Sequence, residues 1–459
     1  VAAGARRRRP PREFAAEGTR RRGALVAFED EAVGVLAAEA GGSFDLCIAS
    51  PGISQFSAFY EAAAAVSAEV ISEVEFAWRE SAADSRWVAV TGTNGKTTAC
   101  ALAAHVLAGA GLAAAAVGNI GDPCIEAVAA GRTDVYVAEV SSYQLASTAR
   151  FAPNVAVLLN ITPDHLHWHR SFEAYRDAKL KLLANLPGVP GAVAVLDAMN
   201  DVVRAEVRRL RALDAGERGF SYVPLGTAAG LTGDMRAACG SDNAAFLDAD
   251  GTLRVALNGA EHAAARVEEL QIKGEHNASN ALAVAAAALA LGVHESDVAE
   301  GLRTFAPLEH RIEPCGSVAG VRCYNDSKAT NVDATLKALA AFPEARPVVL
   351  LGGDDKGTDL APLVAAAHAH AGAVVCFGDA GERFAAAFEA ADAQAPAGFA
   401  AARAAHLADA FDAALALASA GDVVLLSPAC ASFDEFCSFE ERGAAFKTLV
   451  ADAASALGA

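Results

Sequence analysis

Trp87-Val88-Ala89-Val90-Thr91-Gly92-Thr93-Asn94-Gly95-Lys96-Thr97-Thr98 is the stretch from which this chain is read. Its first four residues have the apolar character of a short buried strand. The glycines that follow let the backbone turn its N–H groups inward around an anion. An Ala/Leu-rich helix is predicted from Ala99 to about Leu107, and its amino end adds partial positive charge. Strand, glycine loop, Lys-Thr and helix, in that order, are the parts of a phosphate-binding loop. Lys96 suits the β- and γ-phosphates as a point charge, and the Thr97 hydroxyl suits Mg²⁺. The candidate ATP residues here are therefore Gly92, Thr93, Asn94, Gly95, Lys96, Thr97 and Thr98. The wider pattern has a glycine six positions before the lysine, where this chain has Val90. A bare glycine turn would explain the glycines but not the Lys-Thr-Thr.

On either side the pattern repeats. Residues 114–117 read as a strand leading to Gly118-Asn119-Ile120-Gly121. Residues 135–140 form a strand carrying Glu139, and 155–159 a strand leading to Asn160-Ile161-Thr162-Pro163-Asp164-His165. Near-continuous apolar runs of this kind suit parallel strands covered on both faces. Helices are predicted near 172–185 and 198–213, a hairpin at Asp250-Gly251 within 246–257, a helix near 277–291, and another after an N-cap at Ser296. Further on, strands at 321–324, 348–351, 374–377 and 423–426 alternate with helices, which implies a parallel, doubly wound sheet. Ahead of the loop, strands at 24–28, 44–49 and 69–72 and helices at 58–65 and from Val74 suggest a small α/β domain. The expected division is 1–80, 81–306 and 307–459, with Pro307 at the second boundary.

Composition narrows the function. The chain has 459 residues, 53% of them hydrophobic, and a net charge of −19. Such an acid excess argues against nucleic acid or an anionic membrane as partner. Nine cysteines without a Cys-x-x-Cys pair suit a reduced, cytoplasmic protein. The longest apolar run, at 281–291, is too short to span a bilayer. Arginines near the N-terminus lack an apolar segment behind them, so no signal peptide is expected. Only eight of the 37 basic residues are lysines, and Lys96, Lys179, Lys328 and Lys356 fall within motifs. A lysine kept in an arginine-rich chain hints that an amine is needed chemically.

Glu139 ends an apolar strand, so it belongs at the same sheet edge as the phosphate loop, where a carboxylate can hold Mg²⁺. His165, His167 and His169 alternate, and an extended segment would put three imidazoles on one side, a zinc reading. No cysteine or acid triad completes it, and His165 alone near Mg²⁺ is the preferred expectation.

The motifs Thr91–Thr98, Gly118–Gly121, Glu139–Leu145, Asn160–His165, Tyr175–Lys179, Glu275–Asn280, His310-Arg311, Asn325–Asn331, Gly352–Lys356 and Ser427–Phe439 together resemble the Mur ligase family. The short Gly-Thr-Asn-Gly-Lys-Thr-Thr loop is that family's form, shared with folylpolyglutamate synthases. The Ser-Pro-Ala-Cys-Ala-Ser-Phe-Asp-Glu-Phe run resembles the member that adds D-glutamate. The resemblance implies three α/β domains: an N-terminal Rossmann-like one (here incomplete), a central P-loop ATPase-like one, and a C-terminal Rossmann-like one. It implies an ATP- and Mg²⁺-dependent ligase of peptidoglycan synthesis that joins D-glutamate to UDP-N-acetylmuramoyl-L-alanine through an acyl phosphate.

By the same resemblance Lys96 serves the ATP phosphates, Thr97 and Glu139 magnesium, His165 a second magnesium, and Asn119 the reacting carboxylate. Lys179 matches a lysine the family converts to a carbamate that ligates Mg²⁺. Asn277 and Asn280 match adenine-side residues, and Arg311 and Asp326 nucleotide contacts made across a domain boundary. Lys328, Thr330, Lys356, Ser432 and Phe439 match the D-glutamate pocket, although Phe439 also suits the core of the last helix. Ser50 and Gly52 match the uridine-side loop.

Two departures stand out. His167 replaces the family's acid after Asp-His, and Val1–Gly23 shows neither the family's opening strand nor its glycine-rich turn. Weak binding of the UDP substrate is the expectation that follows. A monomer is expected. The competing readings are another amide ligase of the superfamily and a P-loop ATPase that forms no amide.

Overall fold

The computed structural model describes residues 32–39, 41–227, 241–342, 345–355, 357–391 and 395–458. The strand expected at 24–28, the segment Val1–Gly23 and Lys356 lie outside them. The chain forms two compact units. One contains the residues up to Cys100 with Leu112–Val195 and Ala212–Tyr222. The other contains Ala101–Gly111, Leu196–Arg211 and the chain from Val223 onward.

In the first unit, β1 (Cys47–Ala49) and β2 (Val70–Ser72) pair in parallel. Helices Ala58–Ala65 and Glu73–Glu80 follow them, started by Ser57 and Ser72, whose hydroxyls accept an N–H of the first turn. Then come β3 (Arg86–Thr91), β4 (Ala114–Gly118), β5 (Val135–Glu139) and β6 (Val155–Leu158), all parallel in the order β4-β5-β3-β6. Trp87 through Val90 are buried, as are all of β5 and β6, which explains their unbroken apolar sequence. Glu75 is fully buried. It accepts the N–H of Ala149 at 2.5 Å and of Arg150 at 2.9 Å, and it pairs with Arg79.

Strands β7 (Val193–Asp197) and β8 (Ser221–Gly226) follow. In the second unit β9 (Ala244–Leu247) and β10 (Thr252–Leu257) form the hairpin expected at Asp250-Gly251, and β11 (Ala260–Arg266) extends it. Helix Glu275–Ala290 packs on β9 and β10, its alanines allowing a close approach. The next helix, Glu295–Thr304, is capped by His294 rather than by Ser296. The His294 ring nitrogen accepts the Ser296 N–H, so the cap lies two residues earlier than expected.

The C-terminal sheet has the order β12-β13-β17-β14-β15-β16: β12 (Glu313–Val318), β13 (Val321–Asn325), β14 (Val348–Gly352), β15 (Ala373–Phe377), β16 (Ala400–Arg403) and β17 (Val423–Ala429). All neighbours are parallel except β12, which runs antiparallel to β13 at the edge. Val349, Leu351, Val374, Cys376 and Leu425 enter one core, while Val348, Leu350, Val375, Phe377, Val424 and Leu426 enter the other. This is the period-two alternation of a sheet covered on both faces. Among the described residues no helix is long and apolar enough to cross a membrane.

Candidate active site

The carboxyl ends of β3, β5 and β6 gather one site in the first unit. The loop after β3 is clamped by Asn160, just beyond β6. Its Oδ1 accepts the Asn94 N–H at 2.8 Å, its Nδ2 donates to Asn94 O at 3.0 Å, and its carbonyl accepts the Thr93 N–H at 2.8 Å. The Thr93 hydroxyl lies 2.8 Å from that of Tyr175. Gly95 has φ 88°, in the left-handed region that favours glycine. Helix Lys96–Gly109 starts directly from the loop, as expected, and Thr97 is half-buried in its first turn.

Glu139 ends β5 opposite Val90 of β3, so the loop and the carboxylate share one sheet edge. Its Oε1 accepts from Asn119 Nδ2 at 2.8 Å; its Oε2 is buried and has no hydrogen-bond partner among the described residues. A buried carboxylate oxygen left in this state is costly. A cation such as Mg²⁺ is what it suits, and the Thr97 hydroxyl, in the first turn of the helix that leaves the same loop, is an oxygen donor of the kind Mg²⁺ takes.

Lys179 is 2% exposed. Its Nζ donates to Gly92 O at 2.7 Å and reaches Thr91 Oγ1 at 3.4 Å; Lys96 Nζ donates to the same Gly92 carbonyl at 2.9 Å. Burial, and next the Lys96 charge, push the Lys179 amine well below the usual lysine range, against an opposing pull from Asp164 and Glu139. Lys96, Lys179, Glu139, Asn119 and Asp164 therefore form one constellation.

His165 has φ 54°; its Nε2 lies 3.5 Å from Asp164 Oδ2, and its ring is 4.9 Å from that of Tyr143. The extended three-histidine arrangement is not formed. Leu166–His169 is a helical turn, and His169 is fully buried with Nε2 2.9 Å from Ser142 Oγ. Helical spacing turns His169 inward while His167 stays exposed, so a zinc trio is excluded. Ser50 and Gly52 lie in an exposed turn after β1, closed by the Ile53 N–H on Ser50 O at 3.0 Å. That turn is tied to the histidine segment by Ser54 Oγ, which donates to Trp168 O at 3.0 Å.

The second unit gathers two groups, in which residues beyond β13 and β17 join residues of the first turns of helices Glu275–Ala290 and Phe439–Gly458. Asn277 and Asn280 are buried and hydrogen-bonded to each other at 3.2 Å. The Arg311 charge acts on both His276 and Asp326, which brings the adenine-side and nucleotide candidates together. Asp326 is buried, accepts from Ser427 Oγ at 2.8 Å, and is pushed up to about 7 by desolvation. In the other group, Lys328 Nζ sits 3.7 Å from the centre of the Phe439 ring, a cation–π contact. Phe439 is half-buried at the start of helix Phe439–Gly458, so it is not simply a core residue. Thr330 is half-buried, and its N–H donates to Lys328 O; Ser432 is 2% exposed.

Arg442, which no sequence pattern marks, is the hub of this group. It is 1% exposed, and its guanidinium donates to Ser327 Oγ, Ser327 O, Ala431 O and Cys430 O at 2.9–3.0 Å. Gly353 makes room for it: its φ is 126°, and a Cβ there would stand 2.2 Å from Ala431 O. The only signal was an arginine three positions after Phe439, one helical turn on.

Fold and site together define a phosphate-loop α/β enzyme with an acid-and-amine centre at a parallel sheet edge. Residues 90–288 match the family model for the Mur ligase middle domain, and 310–430 that for the Mur ligase glutamate ligase domain. The chain belongs to the Mur ligase family and is a ligase. It is 38% identical over 410 residues to a protein of Alkaliphilus metalliredigens named UDP-N-acetylmuramoylalanine–D-glutamate ligase, covering 89% of this chain and 84% of that one. A protein of the same name from Pelotomaculum thermopropionicum is 39% identical over 417 residues, with the same coverage. Among solved structures, MurF from Acinetobacter baumannii superposes with a TM-score of 0.58 at 19% identity, covering 90% of this chain and 91% of that one. The folylpolyglutamate synthase of Mycobacterium tuberculosis, complexed with ADP, gives 0.58 at 17%, covering 82% and 93%. These two likenesses are of fold.

Proposed function

We propose that the chain joins the amine of D-glutamate to the free carboxyl of UDP-N-acetylmuramoyl-L-alanine at the expense of ATP, as a cytoplasmic step of cell-wall precursor synthesis. The carrying observation is the Lys328 cation held 3.7 Å from the centre of the Phe439 ring, in the group of residues read from the sequence, with Thr330 and Ser432, as the D-glutamate site. A dicarboxylate needs such donors. The relatives' names agree with it. Lys356 is assigned to the same pocket by sequence alone.

A carboxylate is a poor electrophile, so its oxygen first attacks the γ-phosphorus and ADP leaves. The D-glutamate nitrogen then attacks the acyl carbon, loses a proton, and phosphate departs. Lys96 and the loop N–H groups hold the phosphoryl oxygens where charge grows. Asn119, fixed on Glu139, orients the reacting carboxylate. Thr97, Glu139, His165 and a Lys179 carbamate would hold Mg²⁺, which neutralises phosphoryl charge when bound. Carbamate formation needs an uncharged amine, and burial beside Lys96 shifts Lys179 in that direction, the two lysines donating to one carbonyl. Asn277, Asn280, Arg311 and Asp326 bind the nucleotide, and Ser50 and Gly52 face the uridine side.

ADP release should require both UDP-N-acetylmuramoyl-L-alanine and D-glutamate, with L-glutamate inactive. Release without any amino acid would favour a simple ATPase. Equal rates with both enantiomers would remove the D-glutamate assignment.

A further inference from the structure

Arg311 is flanked by two residues in left-handed backbone, His310 at φ 62° and Ile312 at φ 47°. That region is costly for any side chain and most of all for a β-branched one. It persists only where the surroundings hold it. Here four backbone N–H groups are held. The His310 N–H donates to Glu313 Oε2 at 2.9 Å and the Ile312 N–H to Asp326 Oδ1 at 3.3 Å. The Arg311 N–H donates to Leu308 O, and the Lys328 N–H to His310 O, each at 3.2 Å.

Behind this turn lies a buried relay. Asn325, fully buried, donates from Nδ2 to Glu313 Oε2 at 3.1 Å and to His310 Nδ1 at 2.9 Å, while its Oδ1 accepts the Ser327 N–H at 3.2 Å. The other Glu313 oxygen accepts from Lys447 Nζ at 3.2 Å. Helix Phe439–Gly458 crosses the His310 ring at Gly443, where a Cβ would stand 2.1 Å from Nδ1. Glu309, His310 and Glu313 do converge in the manner of a metal site. However, the Asn325 amide leaves the His310 proton on Nε2, and Lys447 already bonds both carboxylates. The group is a wired clamp.

We propose that Glu313 is a positioning residue for Arg311. It fixes the strained turn from below through the His310 N–H and Asn325, and Gly443 provides the space the clamp requires. The consequence is a preset Arg311 guanidinium beside Asp326 and His276, where the nucleotide is read to bind. The proposal rests on the reading of Arg311 as a nucleotide contact.

The test is steady-state kinetics of the full chain, with ATP affinity by titration and thermal melting alongside. Glu313→Gln should raise KM for ATP about 10- to 100-fold, the effect of a small misplacement, while leaving KM for D-glutamate within about twofold. Added to Arg311→Ala, it should change ATP affinity no further, since a group acting only through Arg311 has nothing left to position. Gly443→Ala should move the same parameter and serves as the variant if Glu313→Gln does not fold. Additive losses in the double variant, or equal rises in both KM values, would show a general structural role and overturn the proposal. A raised KM in Arg311→Ala with none in Glu313→Gln would overturn it alone. An unchanged KM in Arg311→Ala would remove the nucleotide reading and the proposal with it.

Discussion

Lys179 shows how one side chain changes its chemistry with its neighbours. Burial beside Lys96 shifts Lys179 towards the uncharged amine, the form that is a nucleophile towards CO₂. Lys179→Ala should be nearly inactive, and short carboxylic acids should partly restore turnover by supplying the missing oxygen ligand. Failure of acetate and its homologues to restore anything, with a bare amine in a high-resolution map at full Mg²⁺ occupancy, would discard the carbamate. His169 makes a different prediction. Its ring is pushed down to about 4, first by burial and then by the charges of His165, Lys179 and His167. An unfolded imidazole titrates near 6.5, so between about 4 and 6.5 the unfolded chain holds the extra proton. The His169 contribution should therefore fall as pH drops through that window and stay flat above it, while Asp326, pushed up to about 7, contributes the opposite slope. His169→Phe should lessen the slope by up to about 1.4 kcal/mol per pH unit, read from denaturant unfolding at several pH values.

At the scale of elements, the phosphate loop is shaped by Asn160 as much as by its own glycines. Asn160→Ala removes both side-chain bonds to Asn94 and should raise KM for ATP about tenfold, a loss of about 1.4 kcal/mol of binding. An unchanged KM would mean the loop holds its form unaided. This division between the visible and the hidden runs through the molecule. The loop, Glu139 at the end of β5 and the parallel core strands were legible because they rest on local pattern: apolar runs, glycines and strand ends. The edge strand β12 was not, since Pro314 and Gly316 disguise it and antiparallel pairing with β13 supplies what its composition lacks. Nor was β16, Ala400–Arg403, where alanines carry no strand signal. The three histidines misled because alternation implies one face only if the segment is extended, and this one coils. Arg442 and the Glu313 clamp stayed hidden because their partners lie on distant parts of the chain.

At the scale of the whole molecule, one buried charge ties parts of the chain that are far apart in sequence. Glu75 joins helix Glu73–Glu80 to the segment after β5 through the Ala149 and Arg150 N–H groups, while Arg79 of its own helix pairs with its charge. Glu75→Ala would strand those donors and should cost about 3–5 kcal/mol, with a clear fall in melting temperature. A change within about 0.5 kcal/mol would show that the contact is incidental.

The Arg442 hub also has a history during synthesis. Its partner Ser327 precedes it by 115 residues. A ribosome adding about 5–20 residues per second therefore leaves Ser327 waiting on the order of 6–23 s for the guanidinium that fills its surroundings. Within that interval strands β14 to β16 are added one after another, while β17, which lies between β13 and β14, comes last, and until Arg442 follows it the loops that would seat an amino acid have no centre to close upon. The nascent chain passes through a stage with the sheet still lacking its central strand β17 and an open, unfilled polar hollow, the stage at which a chaperone would find most to hold.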